Sequence, residues 1–124
     1  MGNFGRAAVR AVELIREGVC KNPEEAWNKS LNEHTDSENS RSKGCPREAF
    51  LGLCEEGIVV GIPAGKYTRS KKNKTYAIKA VEMLCKSERK LNQSDLWTEI
   101  APGVAPDGQM DVVLSLWEQG LIKQ

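Results

Sequence analysis

Two stretches of the chain repeat one helical pattern, and this echo constrains the fold more than any other feature. Residues 8–15 read AVRAVELI and residues 77–84 read AIKAVEML, so the copies stand 69 positions apart. In each copy apolar residues fall at positions i, i+3, i+4 and i+7, which places them on one face of a helix. The sequence therefore predicts two amphipathic helices, each burying one side against a core.

Two further blocks follow each of these helices in the same order. Residues 22–27 (NPEEAW) match residues 92–97 (NQSDLW), and residues 51–59 (LGLCEEGIV) match residues 114–122 (LSLWEQGLI). Three matched blocks in one order indicate a duplicated unit. The alternative is chance, because small helical proteins reuse Ala, Leu and Glu. We favour duplication, since a tryptophan and a glycine agree as well as the order.

The second block carries signals for the start of a helix. Asn22 is predicted to be the N-cap, Pro23 the first helical residue and Glu25 the third, as in a capping box. In the second copy Asn92 and Asp95 hold the matching places. Both copies therefore contain a second helix that begins at a defined residue.

The third block of each copy ends in a glycine. Gly57 and Gly120 are predicted to adopt the left-handed conformation that ends a helix. The fold class is therefore mainly α, with two related three-helix units packed on one core in a single compact domain, residues 1–124. Unit one spans residues 3–60, a basic connector spans 61–72 and unit two spans 73–124.

A polar insert, residues 32–44, separates the second and third helices of unit one. It reads NEHTDSENSRSKG, contains no apolar residue and is expected to be a surface loop. Because a unit of roughly 50 residues buries too little surface to be stable alone, the two units are expected to share one core. The large side chains predicted to anchor that core are Trp27, Phe50, Leu53, Trp97 and Trp117.

The order of helices, ending in the pattern L-x-L-x-x-x-G-[IL]-[IV], resembles a helix-turn-helix or winged-helix domain. The residues that carry the pattern are Leu53, Gly57, Ile58 and Val59, and Leu116, Gly120, Leu121 and Ile122. The resemblance implies a third helix in the DNA major groove and a wing at residues 58–70, a candidate for a short β-hairpin turning at 63–65. Domains of this helix order also occur without any nucleic acid, and acidic residues on both third helices argue against sequence-specific reading.

Positive charge is concentrated in the middle of the chain. Residues 41–74 hold eight Lys or Arg against three Glu, whereas the net charge of the whole chain is only +1. Such a segment can release counterions from phosphates, with tyrosines available for stacking. The candidate binding residues are Arg41, Lys43, Arg47, Lys66, Tyr67, Arg69, Lys71, Lys72 and Lys74. The alternative is a solvated linker whose lysines only keep the connection soluble.

Cys45 supports a hypothesis of thiol chemistry. It is predicted to be an N-cap, followed by Pro46 as the first helical residue, and the helix dipole with Arg47 would lower the pKa of its thiol. His34, the one histidine, could then act as its base. The bland alternative is a weak N-cap without reactivity.

The four cysteines show no C-x-x-C pair, so the sequence predicts neither a zinc site nor any other metal or cofactor. No apolar run is long enough for a membrane helix. We therefore expect a cytoplasmic protein with reduced thiols and no membrane contact.

The stretch GCPREAFLGLCEEGIVVGIPAGKYTRSKKNKTYAIKAVEML, residues 44–84, is similar to a family of small uncharacterised bacterial proteins, a domain of unknown function. This resemblance implies a bacterial protein and no particular activity. The residues themselves favour a non-enzymatic module that binds nucleic acid or another polyanion weakly. The second hypothesis is a protein-interaction domain that uses apolar surface near Phe4, Ile62 and Trp117.

Overall fold

Six α-helices make up the fold in the computed structural model, which describes residues 1–35, 37–38 and 43–123. They are α1 (Asn3–Arg16), α2 (Pro23–His34), α3 (Gly44–Glu55), α4 (Lys71–Lys86), α5 (Gln93–Ile100) and α6 (Gln109–Glu118). The predicted mainly α class is confirmed, and the buried side chains join one continuous hydrophobic cluster. Over the described ranges, no helix combines the length and apolar character needed to span a bilayer.

The predicted starts of α2 and α5 are confirmed by their caps. The Asn22 side chain accepts the Glu25 N–H at 2.8 Å, with Pro23 as the first helical residue. Asn92 and Asp95 exchange hydrogen bonds of 2.8 and 2.9 Å, which is a complete capping box. These ends are fixed by contacts within three residues, so local sequence is enough to predict them.

The first helix of each half packs against the third helix of the other half, α1 on α6 and α4 on α3. Each crossing has one glycine at its closest point. A Cβ on Gly5 would lie 2.0 Å from the Ser115 Oγ, and a Cβ on Gly52 would lie 2.7 Å from the Lys74 Cα. These pairs correspond, because Gly5 and Lys74 stand 69 positions apart and Gly52 and Ser115 stand 63 apart, the offsets of the sequence echo.

A buried carboxylate from each third helix holds the start of the facing first helix. Asp111 on α6 accepts the Gly2 and Gly5 N–H groups at 2.9 and 2.8 Å. Glu48 on α3, its counterpart 63 residues earlier, accepts the Arg69 N–H at 2.9 Å, just before α4. The matched contacts are what a duplicated unit predicts, and common ancestry of the halves stays a prediction.

The tails that follow α3 and α6 pair with each other. Val59 and Ile122, counterparts in the echo, form an isolated antiparallel bridge. Its flanking hydrogen bonds run from the Val60 N–H to the Leu121 carbonyl (2.9 Å) and from the Lys123 N–H to the Ile58 carbonyl (2.7 Å). Each bond is the other's counterpart at an offset of 63 residues, so the two tails contribute equally.

The prediction of a β-hairpin at residues 58–70 is wrong. The first part of this segment pairs with the tail after α6 instead of with itself. Pro63 has no N–H to donate to a ladder, and the Tyr67 N–H donates to the Glu55 carboxylate at 2.9 Å. With its hydrogen-bonding groups satisfied elsewhere, the segment has no reason to form two strands.

Four of the five predicted core anchors are buried. Trp27, Phe50 and Leu53 have no exposed surface, and Trp97 is 6 % exposed. Trp27 and Phe50 stack with their ring centres 5.5 Å apart. Trp117 is only half-buried, because it lies at the edge of the cluster.

The third helices, α3 and α6, run through the middle of the core and are buried over most of their length. A recognition helix needs one exposed face to enter the major groove. The helix-turn-helix resemblance is therefore limited to the order of the helices, and neither third helix is available to read bases.

Candidate functional site

The loop that leads into α4 is held in shape by two carboxylates of α3. Glu55 accepts the Tyr67 and Thr68 N–H groups at 2.9 and 3.2 Å. Glu48 accepts the Thr68 hydroxyl at 2.8 Å and the Arg69 N–H at 2.9 Å. The two glutamates are seven residues apart, on one face of the helix. The connector is therefore a fixed structural element at this point.

Ion pairs account for three of the predicted cations. Lys43 lies 3.2 Å from Asp107, and Arg47 lies 2.6 Å from Glu24. Arg47 also forms an ion pair with the neighbouring Glu48. Charges neutralised in this way contribute little to the binding of an external anion.

Lys74 is the third neutralised cation. Its ammonium lies 2.8 Å from Glu55 and 3.1 Å from Glu56. The hydrogen bond from Lys74, with those from the Tyr67 and Thr68 backbone, lowers the pKa of Glu55 to about 2. The same bond raises the pKa of Lys74. This pair fixes the start of α4 against the end of α3.

Four cations remain exposed, and together they form what we call the cationic patch: Lys66, Arg69, Lys71 and Lys72. Among the described residues, no carboxylate forms an ion pair with any of them. Lys72 lies 5.9 Å from the centre of the Tyr76 ring. Arg41, the remaining predicted cation, lies outside the described residues.

The predicted stacking role of Tyr67 has a structural alternative. Its hydroxyl donates to the Pro63 carbonyl at 2.8 Å, and its ring covers Gly65, where a Cβ would lie 2.8 Å from the ring. Tyr76 packs edge-on against Trp97, with ring centres 5.0 Å apart. Both rings therefore have packing contacts within the chain.

Cys45 does not occupy the position that the sequence predicted. Lys43 is the N-cap and α3 begins at Gly44, so Cys45 is the second helical residue. Pro46 fits one position further in because the first N–H groups of a helix need no acceptor within the helix. Burial, and then a hydrogen bond with Asp107, raise the pKa of the Cys45 thiol. The predicted lowering of that pKa is wrong.

A cleft of about 400 Å³ opens beside Cys45. Buried Gln109 donates to the Asn73 side chain at 3.2 Å in its wall, and Lys72 of the cationic patch reaches its rim. His34, the proposed base, instead pairs its Nδ1 with the Ser30 carbonyl of its own helix at 2.7 Å. The cleft is thus continuous with the patch, while the contacts of His34 are local.

The apolar surface predicted near three residues divides into separate places. Ile62 is only 2 % exposed, so it belongs to the core. Phe4 is half-buried beneath the Lys43 ammonium, which lies 5.9 Å from its ring centre. Trp117 lines an open groove of about 690 Å³. The groove is therefore the part of this prediction that offers a surface.

Residues 1–123 match the model of a family of unknown function, DUF6979. The chain belongs to this family. No curated protein and no solved structure matches it. The expected resemblance to a domain of unknown function is confirmed, and membership of DUF6979 assigns no activity.

The sequence reasoning missed the role of Glu48 and Glu55. Both were interpreted as charges that would repel phosphates, whereas they bind the backbone of the connector. Their spacing of seven residues was the available signal, because it places both on one helix face toward a following segment, residues 57–74, that contains no acid.

Proposed function

We propose that the protein is a cytoplasmic, non-enzymatic module that binds nucleic acid or a similar polyanion through the cationic patch. The observation that carries this proposal is the combination of a fixed connector and four cations without a carboxylate partner among the described residues. A solvated linker has no need of buried carboxylates to hold its backbone. A binding surface does need them, because preorganised cations lose less conformational entropy on binding.

The start of α4 is an unfavourable place for these charges. Lys71 and Lys72 are its first two residues, and its first turn contains no acid. Cations at the positive end of a helix dipole cost roughly 0.3–1 kcal/mol each. A bound phosphate would reverse the sign of this interaction. The placement is therefore costly in the free protein and favourable in a complex with an anion.

The proposed contacts are with the phosphate backbone. Lysine and arginine bind phosphates without regard to sequence, and burial of α3 and α6 leaves no third helix to read base edges. The expected binding is weak and sensitive to salt. With about four phosphates neutralised, affinity for duplex DNA should fall roughly 100-fold between 50 and 200 mM salt.

Fluorescence anisotropy with labelled duplex and single-stranded DNA, titrated over a range of salt, tests the proposal. The test variant changes Lys66, Arg69, Lys71 and Lys72 to Gln, which leaves the hydrogen bonds of Glu48 and Glu55 to the backbone intact. The matched control changes four exposed lysines elsewhere: Lys21, Lys29, Lys79 and Lys123. Loss of binding in the test variant alone supports the proposal. Equal binding by both variants, or no binding by the native chain at low salt, refutes it.

A further inference from the structure

The groove beside Trp117 lies between the end of α4 and α6. Leu84, Leu91 and Leu114 line it together with Trp117, and Glu118 stands at its edge. Within the part of the chain that the structure describes, it is open to solvent as a space of about 690 Å³. Its position has a counterpart in the other half of the molecule, which shows how such a groove is filled.

The counterpart lies between the end of α1 and α3, and the connector passes through it. A Cβ on Gly61 would lie 2.9 Å from the Cγ of Arg16, at the end of α1. Ala64 packs against Gly57, where a Cβ would lie 3.0 Å from its own. The Gly65 N–H donates to the Glu55 carbonyl at 3.3 Å. An extended segment with glycine and proline therefore covers this end of the first half.

The same positions on α6 have no cover. Leu51 is fully buried and its counterpart Leu114 lines the groove. Gly57 contacts Ala64, whereas a Cβ on Gly120 would meet nothing within 4 Å. Each of these pairs stands at the offset of 63 residues that also relates the paired tails.

The carboxylates at the two positions differ in the same way. Glu55 accepts the Tyr67 and Thr68 N–H groups at 2.9 and 3.2 Å. Its counterpart Glu118 is exposed and accepts no hydrogen bond from a described residue. A free carboxylate at the edge of an apolar groove complements the partial positive charge of successive backbone N–H groups.

We infer that this groove is the docking site for an extended segment of a partner protein that repeats the course of connector residues 61–68. The segment would place an aliphatic side chain over Leu84, Leu91 and Leu114, and a small residue against Gly120. Two successive N–H groups would bind Glu118. This surface is separate from the cationic patch, so the inference does not depend on the proposed function.

A tethered probe tests whether the groove accepts such a segment. Gln124→Gly followed by the added residues IPAGKYT places the tail at the same offset from Ile122 as the connector has from Val59. Iodide quenching of tryptophan fluorescence reports on Trp117, because Trp27 and Trp97 are buried. The tail should reduce quenching several-fold relative to a shuffled tail of the same composition, and Glu118→Lys should restore it. Equal quenching with both tails overturns the inference.

A free peptide with the sequence VGIPAGKYT provides the intermolecular test. At about millimolar concentration it should saturate a change in Trp117 emission of the native chain and of the control Glu88→Lys. Glu118→Lys and the tail-bearing chain, whose groove is filled, should show no such change. Absence of binding, or equal binding by all four proteins, overturns the inference. So does sedimentation that shows a native dimer lost in Glu118→Lys, since a second copy would then occupy the groove.

Discussion

Gly52 marks the crossing of α3 and α4, and the substitution Gly52→Ala sets helix propensity against packing. Propensity alone predicts a gain of about 1 kcal/mol, because glycine is a poor helix former inside a helix. The structure predicts a loss. The new Cβ would stand 2.7 Å from both the Cα and the Cβ of Lys74, where ordinary contacts are 3.4–4 Å. The helices must therefore separate by roughly 1 Å, and overpacking of this kind costs about 1–3 kcal/mol.

Urea denaturation followed by circular dichroism measures the sign directly. Gly44→Ala is the matched control, since it lies at the start of the same helix and a Cβ there would meet nothing within 4 Å. The control should be neutral or slightly more stable than the native chain, while Gly52→Ala should have a lower midpoint with a similar slope. A Gly52→Ala protein as stable as the native chain would refute the close crossing of the two halves at this point.

Three further outcomes follow from the buried and paired groups. Because hydrogen bonds from Lys74 and Tyr67 hold the pKa of Glu55 at about 2, below its ordinary 4.5, its stabilisation is complete above pH 4.5 and is lost as the pH falls toward 2. Glu55→Gln should therefore flatten the acid limb of a stability-against-pH curve, whereas an unchanged limb contradicts the pairing. Asp111→Asn should lower the free energy of unfolding by about 1.5–3 kcal/mol, because charged hydrogen bonds to the start of α1 are lost; thermal unfolding at the native midpoint would reject that role. In a Cys85→Ser background, Cys45 should react with iodoacetamide more slowly than free cysteine near neutral pH, because burial and Asp107 raise its pKa; faster alkylation would restore the hypothesis of an activated thiol.

Local sequence predicted the features that depend on neighbouring residues. The caps at Asn22 and Asn92 were predicted correctly, and so were the glycine ends, since Gly57 and Gly120 have φ values of 79° and 71°. Capping and helix termination act over three or four residues. The amphipathic period of 8–15 likewise identified the face that is buried.

Long-range contacts decided what the basic segment became. Nothing in the sequence distinguishes Lys74, which is neutralised by Glu55 and Glu56, from Lys71 and Lys72, which face solvent. The distinction depends on where α3 lies relative to α4. A charge count therefore predicted the location of the cationic patch but overestimated its size.

The echo in the sequence determined that the chain has two sets of helices and which residues correspond between them. Only the tertiary structure decided that each first helix packs on the third helix of the other half, and that the connector covers α3 while α6 stays open. The physical reason is that hydrophobic burial has no direction. An apolar stripe specifies that a helix must be covered, whereas the shape of the whole core selects which segment covers it.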